Sequence, residues 1–324
     1  MKQLLSQYVG DFQGRKTTVN GVPGYTNGYD FYFITPMENI EEIYFEQKIV
    51  SDFIASNNIG NIASPIANQS QQLSTRYEQQ DYVVMHTQLK KQQEIRTHPE
   101  ALAYFHHIGS AYPYDPPHIS SYGQWRTLWE NKIDVFEKYY QQQYQERPVS
   151  RYQRLLIDTF PYIIGLSENA IQYLQESEQD WRFHEYDRAC ITFARYTDQI
   201  QQSVIWSNQF VYDHPTRDIA EVVRGYLLEE GGQGISKASK FLAEYDRVRS
   251  LSIFSWRLLY ARLLYPVHLF DFIENGMVSK NHELLYNDYH VLLERQAAYE
   301  NQLKIFYKEV NIDAVAASIP QLDW

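Results

Sequence analysis

The chain changes its hydrophobic rhythm partway along. In GRKTTVNGVPGYTNGYDFYFITP, residues 14–36, β-branched and aromatic residues alternate with turn-forming Asn, Gly and Pro, as in an antiparallel hairpin or meander. Pro36 closes the strand YDFYFIT. Ile40, Ile43, Phe45, Ile49 and Phe53 then recur at roughly helical spacing until Asn57-Asn58 ends the pattern. Residues 76–91, RYEQQDYVVMHTQLKK, read as another strand or hairpin arm. Residues 1–95 are therefore expected to form a small β-rich lobe carrying one helix.

Beyond it the period is mostly helical. Helices are expected over 97–108, 121–146, 150–177, 179–187, 216–230, 236–264 with breaks, 266–276 and 280–310. HHIGSAYPYDPPHISS, 106–121, has three prolines and no periodicity, and reads as a loop. Around 189–212 the pattern is extended again, with ACITFARY and SVIWSNQFVY able to pair as a short hairpin. Residues 96–324 are thus a mainly helical lobe with a short β insert. No fixed-period repeat is present.

At 324 residues and 38.4 kDa the chain exceeds what one core usually fills, in keeping with two lobes. A net charge of −11 argues against nucleic acid, whose phosphates would be repelled. The 28 tyrosines suit either protein interfaces or a core edged with hydroxyls, and composition alone places none of them on a surface. The single cysteine, Cys190 in RACITFARY, rules out an internal disulfide and reads as an inert buried thiol. MKQLLSQYVG lacks a signal-peptide pattern, so the chain is expected to be made and kept inside a cell. The most apolar run, 258–273, carries Arg262, Pro266, His268 and Asp271 and is too short and too charged for a membrane span.

The residues offer few reactive constellations. GDFQGRKTT has two glycines but no phosphate-loop spacing. His106, His107, Asp115 and His118 could supply nitrogen and oxygen ligands, but adjacent histidines on a helix point about 100° apart, and a helix end is the simpler reading. Glu42 and Glu46 share one helix face, as a charged outer stripe would. The densest cluster is Asp213-His214-Pro215-Thr216-Arg217-Asp218. An Asp, a His, an Arg and a second Asp within six residues could form an active site. Local chemistry favours a helix start, with Pro215 entering the helix, His214 an imperfect cap, Asp218 at the positive end and Arg217 paired to Glu221.

Three stretches, VYDHPTRDIAEVVRGYL, LLYARLLYPVHLFDFIENGM and ALAYFHHIGSAYPYD, carry a resemblance covering nearly the whole chain. The chain resembles the bacterial spore-coat, CotS-type branch of the aminoglycoside phosphotransferase-like kinases. The resemblance implies an α+β, two-lobed protein-kinase-like fold, with a small antiparallel β lobe and a large mostly helical lobe. Counting the family's positions onto this sequence puts Thr35 where active relatives carry a phosphate-gripping lysine. Glu42 or Glu46 takes the helix glutamate, left without that partner. Phe193, Arg195 and Ile200 fall at the His, catalytic Asp and metal-binding Asn, and Trp206 at the magnesium-binding Asp. Arg195 cannot accept a proton near neutral pH, and an indole cannot ligate Mg²⁺.

The resemblance therefore implies a catalytically inactive kinase-like protein of the endospore coat. Such a protein would have no cofactor or metal, would be made in the mother cell, and would be assembled with other spore coat proteins. Asp213, His214, Arg217 and Asp218 would remain as the brace of a degenerate catalytic loop. The alternatives are a divergent small-molecule phosphotransferase and a nucleotide-binding but inactive regulator. No pattern in the sequence fixes an oligomeric state.

Overall fold

The computed structural model describes residues 1–57, 59–89, 96–145, 150–180, 182–229, 233–277 and 281–320. The ends of several expected elements (residues 90–91, 146, 230 and 280), and residue 181 within the helix expected over 179–187, lie outside them. The chain forms two compact units, 1–122 with 188–218 and 123–187 with 219–324.

In the first unit the turn residues set the sheet. Asn20 and Gly21 both have positive φ, 48° and 79°, which is the twist a two-residue hairpin needs. They join β1 (Arg15–Val19) to β2 (Val22–Thr26), and β2 pairs antiparallel with β3 (Asp30–Pro36). A second tight turn at Glu78-Gln79, again with positive φ, joins β5 (Ser74–Tyr77) to β6 (Gln80–Gln88), so the 76–91 arm is half of a hairpin. β6 then lies between β3 and β4 (Ile62–Pro65). The seven-stranded sheet is completed by β8 (Ile205–Trp206), which adds parallel to β4.

Both faces of this sheet are covered, because successive side chains alternate sides. On one face Tyr32 and Val84 pack with Phe12 and with Leu4 and Leu5 of α1 (Lys2–Val9). On the other, Phe33, Val83 and Met85 pack with Tyr44 of α2 (Glu41–Ser56), Val204 and Trp206. Neither α1 nor β4 was expected from periodicity: each is short, and α1 buries only Leu4 and Leu5.

α2 corrects the reading of its own sequence. Its buried residues are Tyr44, Gln47, Val50, Ser51 and Ile54, whereas Ile40, Phe45 and Ile49 of the apolar series are exposed. Burial of Gln47 is made tolerable by its amide, which donates to the carbonyls of Asn208 (3.1 Å) and Phe210 (3.3 Å).

α3 (His98–Gly109) starts with a capping box from Thr97 and Glu100 and with Pro99 in its first turn. It packs on β7 (Cys190–Phe193), which pairs antiparallel with β9 (Phe210–Asp213). The expected 189–212 hairpin is therefore half right. β7 and β9 do pair, while the intervening β8 leaves to extend the larger sheet. Gly109 permits the close approach of α3: a Cβ there would sit 2.7 Å from the Ile191 nitrogen. Cys190 is fully buried.

The second unit is helical: α4 (Trp125–Gln145), α5 (Arg151–Gln179), most of α6 (Thr216–Leu227), α7 (Gly234–Val248), α8 (Ile253–Leu264), α9 (Val267–Met277), α10 (His282–Lys304) and α11 (Phe306–Glu309). The helix expected over 179–187 is reduced to a single 3₁₀ turn at Glu185–Asp187. α5 is capped by Ser150 and Gln153 and packs against α4, α8 and α10. Five tyrosines (173, 245, 260, 289 and 299) are among the largest fully buried side chains. Several of them bond to backbone, as Tyr299 does in donating to the Leu263 carbonyl at 2.7 Å.

Candidate functional site

Every position that kinase logic singles out in the sequence falls within the first unit, so their geometry can be compared directly. Thr35 lies in β3 opposite Val83 and donates from its hydroxyl to the Val83 carbonyl at 3.4 Å. Its side chain serves the strand pair and presents no cation. Glu42 is exposed on α2. Glu46 is taken up by backbone: its Oε2 accepts from the N–H groups of His118 (2.9 Å) and Ile119 (3.0 Å). It holds the 112–122 loop against α2.

Phe193, at the end of β7, is fully buried between Phe105 (stacked, 5.2 Å between ring centroids) and Phe210 (edge-on, 5.6 Å). Arg195 is half-buried, and its carbonyl accepts from the Gln199 amide at 2.8 Å. Ile200 is buried in the 3₁₀ turn Gln199–Gln201. Trp206 packs edge-on against Phe33, 4.7 Å between ring centroids at 79°, within the apolar cluster under the sheet. Two neighbours of the expected base position pair with each other: His98 Nε2 lies 2.7 Å from the Tyr196 hydroxyl. Burial pushes the His98 pKa below the usual histidine value, against the opposing pull of Asp198.

The 213–218 cluster is where polar side chains converge. Asp213 is fully buried. Its Oδ1 accepts from the His214 N–H (2.6 Å), and its Oδ2 accepts from the Ser121 hydroxyl (3.0 Å) and Arg217 (2.9 Å). The His214 ring accepts from the Thr216 N–H at 3.2 Å and lies 2.9 Å from the Thr216 hydroxyl, so it caps the start of α6 (Thr216–Leu227). Arg217 spreads its fork over the Phe193 carbonyl (2.9 Å), the Ala194 carbonyl (2.8 Å), the Ser121 hydroxyl and Asp213. Glu221, its expected partner, pairs with Arg224. A planar guanidinium with five donors suits this better than an exposed helix pair would.

Asp218 completes the arrangement. Its carboxylate accepts from the Phe193 N–H at 3.0 and 3.3 Å, and Oδ2 lies 3.0 Å from His106 Nε2. Both partners are fully buried. Sequence reasoning missed His106, treating it as one of a helix-end pair. The contact joins residues 112 positions apart, which no local pattern encodes.

Chemically, this cluster holds a loop. Neither Asp213 nor Asp218 faces solvent, and their carboxylates are bonded to backbone, hydroxyl, guanidinium and imidazole groups. Among the described residues no group of three or more His, Cys, Asp or Glu side chains is arranged to hold a metal ion. His106, His107, Asp115 and His118 do not converge: His106 is buried against Asp218 while His107 and His118 are exposed. The side chains counted into the lysine, base and metal positions are a strand threonine, an arginine and a sheet-buried tryptophan. These do not fit a magnesium nucleotide. No described helix is long and apolar enough to cross a membrane.

Comparison with known proteins agrees with the fold. The family model described as spore coat putative kinase YutH matches residues 2–306. The endospore coat-associated protein YutH of Bacillus subtilis (strain 168) is 29% identical over 300 residues, covering 91% of this chain and 88% of that protein. An aminoglycoside phosphotransferase from Alicyclobacillus acidocaldarius superposes with a TM-score of 0.58 at 13% identity, covering 96% of each chain. The amicoumacin kinase hAmiN, solved with AMP-PNP, Ca²⁺ and Ami, superposes with a TM-score of 0.53 at 12% identity, covering 93% of this chain and 92% of that one. The fold is that of the aminoglycoside phosphotransferase-like kinases, α+β with a curled sheet and a large helical part.

Proposed function

Because the chain belongs to the spore coat putative kinase YutH family, we propose that it serves the endospore coat as a catalytically inactive, kinase-like structural and interaction protein. It is made in the mother cell and assembled into the endospore coat with other coat proteins; the coat association in its relative's name supports the coat placement.

One observation carries the inactive reading. The position counted as the magnesium-binding acid is Trp206, paired in register with Ala63 and packed on Phe33 in the core of the sheet. Phosphoryl transfer is almost entirely positioning and charge stabilisation by Mg²⁺, a phosphate-gripping cation and a base. An indole integrated into the sheet core supplies none of these. A carboxylate in its place would be buried without a partner in an apolar core, which is costly.

Thermal unfolding with and without Mg·ATP tests the reading. A ligand bound only by the native state at one hundred times its dissociation constant adds about 2.7 kcal/mol of stability. The expected result is an unchanged melting temperature. A saturable, magnesium-dependent rise of several degrees overturns the reading. Phosphate transfer in the same samples would mark an enzyme, and its absence a nucleotide-binding regulator.

A further inference from the structure

The apolar series along α2 (Glu41–Ser56) that does not enter the core borders a groove of about 810 Å³ between that helix and the 112–118 loop. Phe45 is 56% exposed, Ile49 38% and Tyr114 66%. Tyr112 links the two walls by stacking edge-on with Phe53 of α2 (5.3 Å) and with Tyr114 (5.7 Å). The loop is fixed in place by Glu46, which accepts from the His118 and Ile119 N–H groups. It is fixed again by the Tyr212 N–H, which donates to the Ile119 carbonyl at 2.9 Å. The groove is therefore formed in advance, which lowers the entropic cost of binding.

Its charge is one-sided. Glu41, Glu42, Glu46 and Asp115 line it, with no lysine or arginine among the lining residues. Glu41 and Glu46 each bind backbone N–H groups through one oxygen, and Glu42 and Asp115 stand exposed at the rim. Exposed Phe45, Ile49 and Tyr114 beside the exposed carboxylates of Glu42 and Asp115 are complementary to apolar side chains flanked by cations.

We infer that this groove docks a short cationic, amphipathic peptide segment of another protein, with Leu- or Phe-type anchors on Phe45 and Ile49 and Lys or Arg at Glu42 and Asp115. The inference rests on reading the chain as an interaction protein and names the surface it would use.

The probe is a fluorescein-labelled 14-residue peptide with Leu or Phe at helical spacing and Lys between them. Two controls replace every Lys by Glu, or every Leu and Phe by Ser. Binding is read by anisotropy to the full chain and to three double variants whose melting temperatures match wild type. The expected result is saturable binding of the first peptide only, weakened tenfold or more by Phe45→Ser with Ile49→Ser and by Glu42→Lys with Asp115→Lys. Binding should change less than twofold on Asp134→Lys with Glu137→Lys, which alters net charge equally at two residues that do not line the groove. Equal weakening by both charge pairs, or none by the apolar pair, overturns the inference, because the attraction would then be generic. Concentration-dependent self-association abolished by the apolar pair also overturns it, assigning the groove to a second copy. Failed peptide binding with no Mg·ATP response sinks the groove and leaves the inactive reading standing. A Mg·ATP response with specific peptide binding does the reverse.

Discussion

The backbone N–H of Phe193 donates to the carboxylate of Asp218, across 25 residues of sequence and with both groups fully buried. The same carboxylate meets His106 of α3 (His98–Gly109), so one side chain ties the end of β7 (Cys190–Phe193), the start of α6 (Thr216–Leu227) and α3 together. The position counted as the catalytic aspartate, Arg195, lies two residues beyond Phe193. The bonds that hold this loop are thus in place directly beneath Phe193 and Arg195.

Removing that carboxylate should be costly. Asp218→Ala removes the acceptor from a buried backbone N–H and a buried imidazole, each worth about 1–3 kcal/mol, so a loss of about 2–6 kcal/mol is expected in urea unfolding. Asp218→Asn, which keeps one acceptor oxygen, should cost less. An unchanged midpoint in Asp218→Ala would show that the bond contributes nothing to stability.

How much of this the sequence could reveal depends on the range of the interaction. The meander, the helical stretches other than 179–187 and the helix start after Pro215 are written in local period and turn chemistry, and their readings hold. The outward face of α2 (Glu41–Ser56) misled because periodicity reports that a helix has an apolar stripe, not that the stripe is buried. Tyr44, Gln47 and Val50 point inward instead. The parallel addition of β8 (Ile205–Trp206) to β4 (Ile62–Pro65) joins residues far apart in sequence through two-residue strand contacts, too short for any pattern. Asp218 was singled out by its motif, but His106 is defined only by the tertiary contact.

Arg217 offers a sharper test of the brace than charge alone. Its fork reaches the Phe193 and Ala194 carbonyls and Asp213 at once. Arg217→Lys keeps the charge but cannot span those acceptors. A loss of about 1–3 kcal/mol is expected, with faster amide exchange at residues 193–196 by NMR. If the lysine variant matches wild type in both measurements, charge rather than geometry holds the loop.

Trp206 decides whether the nucleotide chemistry is merely hidden. Thr35→Lys with Trp206→Asp restores the residue types of active relatives at two positions. The aspartate, however, would replace a buried ring on Phe33 with an unpaired carboxylate. A destabilisation of about 3–5 kcal/mol is expected from the lost ring alone, with no gain of Mg·ATP response. Recovery of magnesium-dependent nucleotide binding by the double variant would show that the site was lost by these substitutions only and that the sheet tolerates their return.

The sheet also carries an acid-sensitive pair. Asp30 opens β3 (Asp30–Pro36). Its carboxylate accepts from the Gln88 amide (2.8 Å) and the Asn27 amide (3.0 Å) and lies 2.9 Å from His86 Nε2. These contacts, Gln88 first, then Asn27 and His86, lower its pKa from 3.8 to about 2. A carboxyl whose folded pKa is depressed adds stability that is fully present above the unfolded value and disappears as pH falls through the folded one. Wild type should therefore lose melting temperature more steeply than Asp30→Asn between pH 3.8 and about 2, with the two running parallel above that window. The effect should be modest, because the side chain is 23% exposed and solvent screens it. A constant offset between the two proteins down to pH 2 would mean that the hydrogen bonds survive protonation and that Asp30 does not set the acid limb.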